Sequence, residues 1–304
     1  MQRTIPTVSL HTLFRPPTSV IYPPFKKGRY LEEYFYDYVL SHTFPEKTSV
    51  TYIPAFWTNL QIDPMFVSKR LVYQKLLNES LSKYPTDTLF FTVVQHDDGV
   101  LLNLPPNTYV FGACSGNLPI PLIYEDTTSR LQNQEKTTKT QLATFVGTIT
   151  HPIRKEMLEP LKPHNDVVAH VQTSWTNSVN NTNADLFINE CLKSRFVLAP
   201  RGYGRSSFRF FEAMELGSVP VYIWDDKKWL PYLHYLNYDK FAIVIHSSEL
   251  STLYGKMISI TDEKYNEMLK ESKKVKEWFT LDGMCKYILS VVLVTQSVLG
   301  NMVE

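Results

Sequence analysis

The chain has 304 residues, of which 43% are hydrophobic and 20% charged, and its formal net charge at pH 7 is +1. This length exceeds the usual size of one domain, so we expect two domains that each bury a core. The near-zero charge argues against a nucleic-acid binder held mainly by phosphate attraction, and any cationic site must therefore be local.

The sequence gives no sign of a disulfide framework, a zinc site or a membrane span. Its cysteines, Cys114, Cys191 and Cys285, are far apart and form no CxxC pair, and an odd, scattered set of this kind predicts neither disulfides nor zinc. The first residues have no long apolar stretch, and "YILSVVLVTQSVL" near the end is too short and too polar to cross a bilayer. We expect a cytoplasmic protein or, alternatively, the trimmed lumenal part of a Golgi protein.

The first part of the chain alternates between helix and strand patterns. Apolar residues at helical spacing predict a helix in "RYLEEYFYDYVLSH", and "SVTYIPAFW" is typical of a buried strand that ends at Pro54. A second helix is predicted in "FVSKRLVYQKLLNESLSKY". The apolar strand "TLFFTVV" follows, then a polar turn at residues 96–99, and "TYVFGA" and "IPLIYE" predict two further strands. Such a series is typical of a parallel sheet.

A polar segment at residues 127–141 separates this series from a second one. The second series has strands in "QLATFVGTI", "DVVAHVQ", "RFVLAP", "SVPVYIW" and "FAIVIH", and helices in "HPIRKEMLEPL", "NADLFINECLKS", "FRFFEAMEL" and "EKYNEMLKESKKVKEWF". We predict an α/β protein with two Rossmann-like, doubly wound domains. The first covers residues 1–140, the second covers residues 141–275, and a C-terminal helix in residues 276–304 packs back on the first.

Ligands of such sheets bind beyond the carboxyl ends of the strands. This rule selects five loops, which are residues 54–58, 96–99, 147–154, 200–209 and 224–227. The loop after "RFVLAP" is unusual because "RGYGRSSFR" places three arginines and two glycines between apolar elements. Its glycines permit close approach of a ligand to the backbone, and Ser206 or Ser207 is suited to cap the following helix. Arginines at a helix N-terminus form an anion site, and a diphosphate is the expected ligand.

Glu212 lies three residues beyond Arg209, on the same face of the predicted helix and one turn deeper. Its carboxylate is placed to accept hydrogen bonds from vicinal hydroxyls, as on a ribose. The alternative is that Arg209 and Glu212 form a surface ion pair, which would contribute little energy. The spacing fits neither GxGxxG nor GxxxxGK[ST], so the usual dinucleotide and P-loop motifs are excluded.

These residues resemble the C-terminal signature of the exostosin family of glycosyltransferases, which reads as a strand, PRG, S-x-R-x-x-E-A, a small-residue turn and P-V. The matching residues are Pro200, Arg201, Gly202, Ser207, Arg209, Glu212, Ala213, Gly217, Val219, Pro220 and Val221. The resemblance extends over about residues 30–260 and includes "LATFVGTITHPIRKEML", with Gly147 and Arg154, and "VTYIPAFW". His96-Asp97-Asp98-Gly99 is similar to an H-D-aromatic-G motif, but Asp98 stands where an aromatic residue is usual.

The resemblance implies a GT-B fold, in which two Rossmann-like domains face each other across a cleft. The second domain would hold a UDP-sugar donor, the first would hold a glycan or glycoprotein acceptor, and no cofactor or metal is implied. Transfer would invert the anomeric centre. The residues that this resemblance assigns to the donor are Arg154, Arg201, Gly202, Tyr203, Arg205, Ser206, Ser207, Arg209 and Glu212.

Within the family, the chain resembles the exostosin-like enzymes of large algal viruses, which include a xylosyltransferase that acts on capsid-protein glycans. This likeness implies xylose as the transferred sugar, a fucose-containing N-glycan of a viral capsid protein as the acceptor, and the host cytoplasm as the compartment. UDP-sugars that carry N-acetylglucosamine, glucuronic acid, galactose or arabinose remain alternative donors.

An inverting transfer needs a base for the acceptor hydroxyl and charge stabilisation for the departing diphosphate. Asp98 and Asp97 are the leading candidates for the base because they follow a predicted strand, and Asp63 is the next. Asp-Asp-Gly is also ordinary turn chemistry. Asp225 and Asp226 lie in a turn flanked by lysines, where we expect solvated carboxylates and no metal.

Two other classes of function stay open on the sequence alone. One is a protein that binds UDP or glycans without turnover, which the departure at Asp98 permits. The other is a phosphate-handling enzyme, such as a phosphorylase or nucleotidase, that uses the same arginines. No nucleic-acid partner is expected, and the sequence does not indicate an oligomeric state.

Overall fold

The structure is a computed structural model, and it describes residues 5–17, 28–43, 49–135, 137–172, 174 and 181–293. The chain divides into two compact units. The first unit holds the described residues up to Ile120 and those from Thr280 onward, and the second holds the described residues from Pro121 to Phe279.

Nine strands and nine α-helices lie within the described residues. The strands are β1 (Val50–Tyr52), β2 (Leu89–Val94), β3 (Thr108–Gly112), β4 (Leu118–Pro119), β5 (Gln141–Thr148), β6 (Val167–Gln172), β7 (Ser194–Pro200), β8 (Val219–Trp224) and β9 (Ile243–His246). The helices are α1 (Leu31–Ser41), α2 (Trp57–Gln61), α3 (Phe66–Leu81), α4 (Pro152–Leu158), α5 (Asn181–Lys193), α6 (Phe208–Glu215), α7 (Leu253–Ile258), α8 (Asp262–Val275) and α9 (Leu281–Leu293). Short 3₁₀ turns join several of them.

The first unit is built on a parallel sheet with strand order β1-β2-β3-β4. Neighbouring side chains of β2 point to opposite faces of this sheet. Phe90 therefore joins a core with Trp57 and Leu77 from α2 and α3, whereas Phe91 contacts Phe35 of α1 with ring centroids 6.1 Å apart. Helices thus cover both faces of the sheet.

The C-terminal helix α9 packs within the first unit. The Tyr287 ring lies 6.4 Å from Phe111 of β3, and the Tyr34 hydroxyl of α1 donates to Asp282 over 2.8 Å. The whole sheet of the second unit separates α9 from β4 along the chain. The first unit is therefore completed only by the last described residues of the chain.

The second unit has a parallel sheet with strand order β6-β5-β7-β8-β9. Phe196 of β7 faces a core built with Ile153, Met257 and Met268 from α4, α7 and α8. Its neighbour Val197 faces the other side, where α5 and α6 pack. The predicted class, α/β with two doubly wound Rossmann-like units, is confirmed.

Two details differ from the sequence prediction. Residues 120–125, predicted as the strand "IPLIYE", contain no strand, and β4 is limited to Leu118 and Pro119. Pro119 and Pro121 have no N–H group to donate, so this segment cannot extend the hydrogen-bonded ladder. Residues 121–140, which the sequence placed with the first domain, belong to the second unit, where Leu131 packs against Ile188 and Cys191.

Candidate functional site

The strand order of the second unit marks a position for a ligand. Going outward from β5, the chain first adds β6 on one side and then β7, β8 and β9 on the other. In a sheet of this order, the crevice lies where the direction reverses, beyond the carboxyl ends of the first and third strands. These strands are β5 and β7, which end at Thr148 and Pro200.

Arg209 reaches this crevice from the first turn of α6. Its Nε donates to the carbonyl of Val146 over 2.8 Å, and its guanidinium lies 5.6 Å from the centroid of the Phe145 ring. Burial lowers the pKa of Arg209, and the charge of Glu212 opposes this effect. Gly147 makes the approach possible, because a Cβ atom there would lie 2.3 Å from Arg209 Nη2.

Arg154 joins the ends of the two strands. Its Nη1 donates to the carbonyl of Thr148 over 2.7 Å, and its Nε donates to the carbonyl of Arg201 over 2.8 Å. The residue is 6% exposed, and a Cβ at Gly202 would lie 2.8 Å from its Nη2. Arg154 therefore acts on the backbone around the crevice, which it holds in place.

Arg201 and Arg205 bind two carboxylates from the loop after β8. Arg201 Nη1 donates to Asp225 Oδ1 over 3.0 Å and to Asp226 Oδ1 over 2.8 Å. Arg205 Nε donates to Asp226 Oδ2 over 2.8 Å. Solvated carboxylates were expected at 225 and 226. Asp226 is exposed, but both carboxylates are paired with arginines, because parallel pairing of β7 with β8 brings the two strand ends together.

These contacts shift the protonation equilibria of the paired groups. Desolvation alone would lower the pKa of Arg201, but its bonds to Asp225 and the charges of both carboxylates raise it overall. Partial burial opposes ionisation of Asp226, yet the bonds from Arg205 and the Lys227 N–H, with the nearby arginine charges, lower its pKa to about 2. Asp226 and Arg201 are therefore fully ionised near neutral pH.

Several buried polar atoms at the crevice have no hydrogen-bond partner among the described residues. They are Ser207 Oγ, Thr150 Oγ1 and Arg201 Nε. Ser207 is 4% exposed and stands at the N-cap of α6 with extended backbone, as predicted. Buried polar groups normally have partners. An N-cap serine that leaves its hydroxyl unused, in a loop that also holds an arginine with an unused N–H, is the pattern of a site for an anion.

Glu212 lies inside the second unit and does not form a surface pair with Arg209. It is 9% exposed, and its Oε1 accepts a hydrogen bond from the Tyr124 hydroxyl over 3.0 Å. Burial raises the pKa of Glu212, and the charge of Arg209 opposes this rise. Sequence reasoning missed Tyr124, because 88 residues separate it from Glu212 and nothing local marks the contact.

The remaining predicted donor residues lie in the loop between β7 and α6. Ser206 is buried, whereas Tyr203 is 56% exposed. The carbonyl of Tyr203 accepts from Arg201 Nη2 over 3.1 Å. The carbonyl of Arg205 accepts from the Tyr222 hydroxyl over 3.2 Å. The structure thus brings the predicted donor residues together at one end of the second sheet.

In the first unit, Asp97 and Asp98 lie in a turn at the carboxyl end of β2. The Asp98 N–H donates to His96 Nδ1 over 3.2 Å, and burial lowers the pKa of His96. Gly99 closes the turn with φ of 74°. Asp98 is exposed and Asp97 is partly buried. The turn therefore places both residues at the edge where a ligand is expected.

Asp63 forms local hydrogen bonds in the first unit. Its Oδ1 accepts from the Met65 N–H over 2.8 Å, and its carbonyl accepts from the Phe66 N–H over 2.8 Å. These bonds form the turn that precedes α3, and an aspartate in this position is common turn chemistry. Gln61, two residues before Asp63, donates from Nε2 to the carbonyl of Gly99 over 2.8 Å, so this part of the chain lies beside the turn that holds Asp97 and Asp98.

Glu32 is a buried carboxyl group that sequence reasoning missed. Its Oε1 accepts from the Thr58 N–H over 3.0 Å, from the Thr58 hydroxyl over 2.6 Å and from the Gln95 N–H over 3.1 Å. Oε2 is buried and has no partner among the described residues. A signal was present, because Glu32 precedes Phe35 and Val39 by three and seven residues and so shares the apolar face of α1.

Metal-binding clusters and membrane spans are both absent from the described part of the chain. Within the described ranges, histidine, cysteine, aspartate and glutamate side chains form no group of three or more that suits a metal ion. Within the same ranges, every helix is too short or too polar to cross a membrane.

Comparison with known proteins gives a match to one family and to two named relatives. The model of the exostosin GT47 domain matches residues 105–259, about half of the chain. The chain is 36% identical to the probable glycosyltransferase At3g07620 of Arabidopsis thaliana over 84 residues, which are 28% of this chain and 18% of that protein. It is 27% identical to the probable glycosyltransferase At5g03795 of the same plant over 150 residues, 48% of this chain and 26% of the relative. The matched region is thus about a quarter or less of these relatives.

Similar solved structures include TarM and the pneumococcal O-GlcNAc transferase GtfA in complex with UDP and GlcNAc. TarM has a TM-score of 0.42 and 10% identity, over 79% of this chain and 54% of TarM. GtfA has a TM-score of 0.38 and 9% identity, over 80% of this chain and 56% of GtfA. At these scores the likeness is distant.

Proposed function

The chain belongs to the exostosin GT47 family, and from this premise we propose that it is a glycosyltransferase that moves a sugar from a UDP-sugar to a glycan acceptor. The observation that carries the proposal is the built but unsatisfied anion site of the second unit. Ser207 Oγ, at the N-cap of α6, and Arg201 Nε, in the loop that precedes this helix, are buried without partners among the described residues.

The proposed donor site has side chains that contact the UDP-sugar and side chains that hold the crevice in shape. In this proposal, Ser207, Arg201 and Arg205 contact the diphosphate, because they lie around the start of α6. Arg154 and Arg209 donate to carbonyl groups of β5 and of the loop after β7, so they shape the crevice and add positive potential. Glu212 would accept from the ribose hydroxyls, with Tyr124 fixing its carboxylate. Gly202, Tyr203 and Ser206 form the wall of the loop.

The proposed reaction is an inverting displacement at the anomeric carbon. The acceptor hydroxyl oxygen forms a bond to this carbon, the bond from the carbon to the diphosphate oxygen breaks, and UDP leaves with the electron pair. A carboxylate of the first unit takes the acceptor proton. Asp97 and Asp98 are proposed for this role because their turn follows β2. Fixed positive groups stabilise the departing charge, which is often the largest catalytic contribution.

UDP-xylose is the proposed donor, because of the resemblance to the xylosyltransferases of large algal viruses. On the same ground we propose a fucose-containing N-glycan of a capsid protein as acceptor. No metal is expected to be required, since the arginines and the helix N-terminus supply the positive charge that a metal would otherwise bring.

Calorimetry with UDP, UMP and uridine tests the proposal, each with and without EDTA. If the crevice binds a diphosphate, UDP binds at least about tenfold more tightly than UMP, since each charge-assisted contact adds substantially to affinity. Equal affinities for UDP and UMP would reject the site. A panel of UDP-sugars, with mass spectrometry of a glycan acceptor, then tests transfer. Tight UDP binding without any transferred sugar would instead favour a binding protein.

A further inference from the structure

Asp226 holds two arginines of the donor site at once. Its Oδ1 accepts from Arg201 Nη1 and its Oδ2 accepts from Arg205 Nε, each over 2.8 Å. The two oxygens of one anion thus bridge two guanidinium groups. A diphosphate makes contacts of this same kind with arginines, since both are oxyanions that accept charge-assisted hydrogen bonds.

The carboxylate and a diphosphate cannot both use these arginines without repulsion. Arg201 and Arg205 are matched by Asp225 and Asp226, so two cations face two anions. The low pKa of Asp226, about 2, means that it does not become neutral near pH 7. An incoming diphosphate would therefore meet a charged carboxylate on the arginines that it needs.

Asp226 is the carboxylate of the pair that has room to move. Its side chain is 41% exposed, against 26% for Asp225, and it lies in a loop beyond the end of β8. Within the described part of the chain, Asp226 accepts, apart from the two arginines, only from the Lys227 N–H of its own loop, over 2.7 Å. Asp225 is the less exposed of the two carboxylates, and its backbone is also held. Its Oδ1 accepts from the Asp226 N–H over 2.8 Å, and its carbonyl oxygen lies 2.8 Å from His246 Nε2.

We propose that Asp226 is an internal competitor for the diphosphate. Its carboxylate occupies Arg201 and Arg205 before the donor binds and gives them up when the donor binds. This inference rests on the proposed function of the crevice and adds a residue that sets its affinity. The competitor weakens binding of the donor and of the UDP product alike. Release of UDP after transfer is then assisted by return of Asp226 to the arginines.

Titration of the full chain with UDP and with pyrophosphate tests this proposal on Asp226→Asn. Asparagine keeps the shape and one acceptor oxygen but removes the charge. We expect Kd for both ligands to fall by at least about threefold, the scale of a partly exposed ion pair. We expect product inhibition by UDP to strengthen by the same factor. Damage to the fold would not tighten binding, so this readout separates competition from a structural role.

Asp262→Asn is the matched control. Asp262 accepts from Arg195 Nη1 over 2.7 Å, at the amino end of β7, so the variant removes one aspartate from an arginine pair away from the crevice. It should leave both Kd values unchanged. Asp226→Ser, which also lacks the charge, should reproduce the tightening seen with Asp226→Asn.

The outcomes distinguish this inference from the proposed function. If the wild-type chain binds neither UDP nor pyrophosphate, the donor site itself is wrong and the inference falls with it. If the wild type binds UDP but Asp226→Asn and Asp226→Ser bind it equally or more weakly, Asp226 orients the arginines and does not compete. Tightening in Asp262→Asn as well would attribute the effect to net charge and overturn the proposal.

Discussion

The lack of a side chain at Gly147 leaves the space that the guanidinium of Arg209 occupies. The guanidinium of Arg209 lies so close to the backbone of β5 that a Cβ at residue 147 would be 2.3 Å from Nη2. The residue at 147 therefore decides whether Arg209 can bond to Val146 and lie over Phe145. Because Cβ atoms essentially never come this close to other atoms, any side chain at 147 must displace the arginine.

Gly147→Ala is expected to weaken UDP binding by at least about tenfold, because displaced Arg209 no longer shapes the anion site. Calorimetry with UDP measures the change. Gly255→Ala is the matched control, since a Cβ at this α7 position has nothing within 4 Å. The control should bind UDP normally and gain about 0.5–1 kcal/mol in stability, because alanine is the better helix residue. Normal UDP affinity in Gly147→Ala would show that Arg209 is dispensable where it now lies.

Arg209→Ala is expected to weaken UDP binding by at least about tenfold, since it removes a charge held inside the crevice. Arg209→Lys should recover little of this affinity, because an ammonium cannot reproduce the planar contact with Phe145 and the bond to Val146 together. Arg195→Ala serves as the control. Arg195 lies in β7, at the opposite end from Arg201, and pairs with Asp262. Equal UDP affinity in Arg209→Ala and Arg195→Ala would show that Arg209 does not contribute to UDP binding.

Asp97→Asn and Asp98→Asn test the proposed base. One of the two variants should lose about 100-fold or more in transfer rate while its UDP affinity is unchanged, because a positioned base contributes rate and does not hold the nucleotide. The measurement is transfer at saturating donor. Asp63→Asn should keep both transfer and stability, since asparagine also forms the turn before α3. Loss of transfer in Asp63→Asn alone would show that Asp63, and neither Asp97 nor Asp98, is the base.

The positions of the helices and strands near the site could be predicted from local sequence patterns. Their apolar residues recur with strong periodicity, and capping or turn residues mark their ends. The helix α6 shows this well. Ser207 begins it and Gly217, with φ of 71°, follows its end, as serine N-caps and glycine termini predict. The extended backbone of Ser207 and the positive φ of Gly217 are local properties that the sequence predicts, although the Ser207 hydroxyl makes no cap hydrogen bond.

The pairing of Arg201 with Asp226 could not be predicted in this way. The two residues are 25 positions apart and meet because β7 and β8 are neighbouring parallel strands. The lysines that follow Asp226 pointed to solvent, yet the arginines across the strand ends bind it. Tyr124 is a stronger case, since it follows two prolines in a segment without strand or helix and still reaches Glu212.

Glu32 supplies a prediction about pH and stability in the first unit. Burial raises the pKa of its carboxyl group, although bonds from Thr58 and Gln95 oppose the rise. The folded state therefore binds this proton more tightly than the unfolded state. With more protons bound in the folded state, stability falls as pH rises from the unfolded pKa through the folded pKa. Glu32→Gln cannot ionise, so its free energy of unfolding should improve relative to wild type as pH rises above about 4.3, the usual value for glutamate.

Chemical unfolding at a series of pH values measures this difference. Glu33→Gln removes the same charge one residue along α1 from a less buried residue and controls for general charge effects. Glu32→Ala should lose at least about 2 kcal/mol at every pH, because the Thr58 and Gln95 N–H groups are then buried without their acceptor. If Glu32→Gln instead loses stability relative to wild type as pH rises, the ionised carboxylate is the favoured form. Glu32 would then stabilise the loops after β1 and β2 through its charge. The free energy lost by desolvating the carboxylate would be smaller than the stabilisation from its three hydrogen bonds.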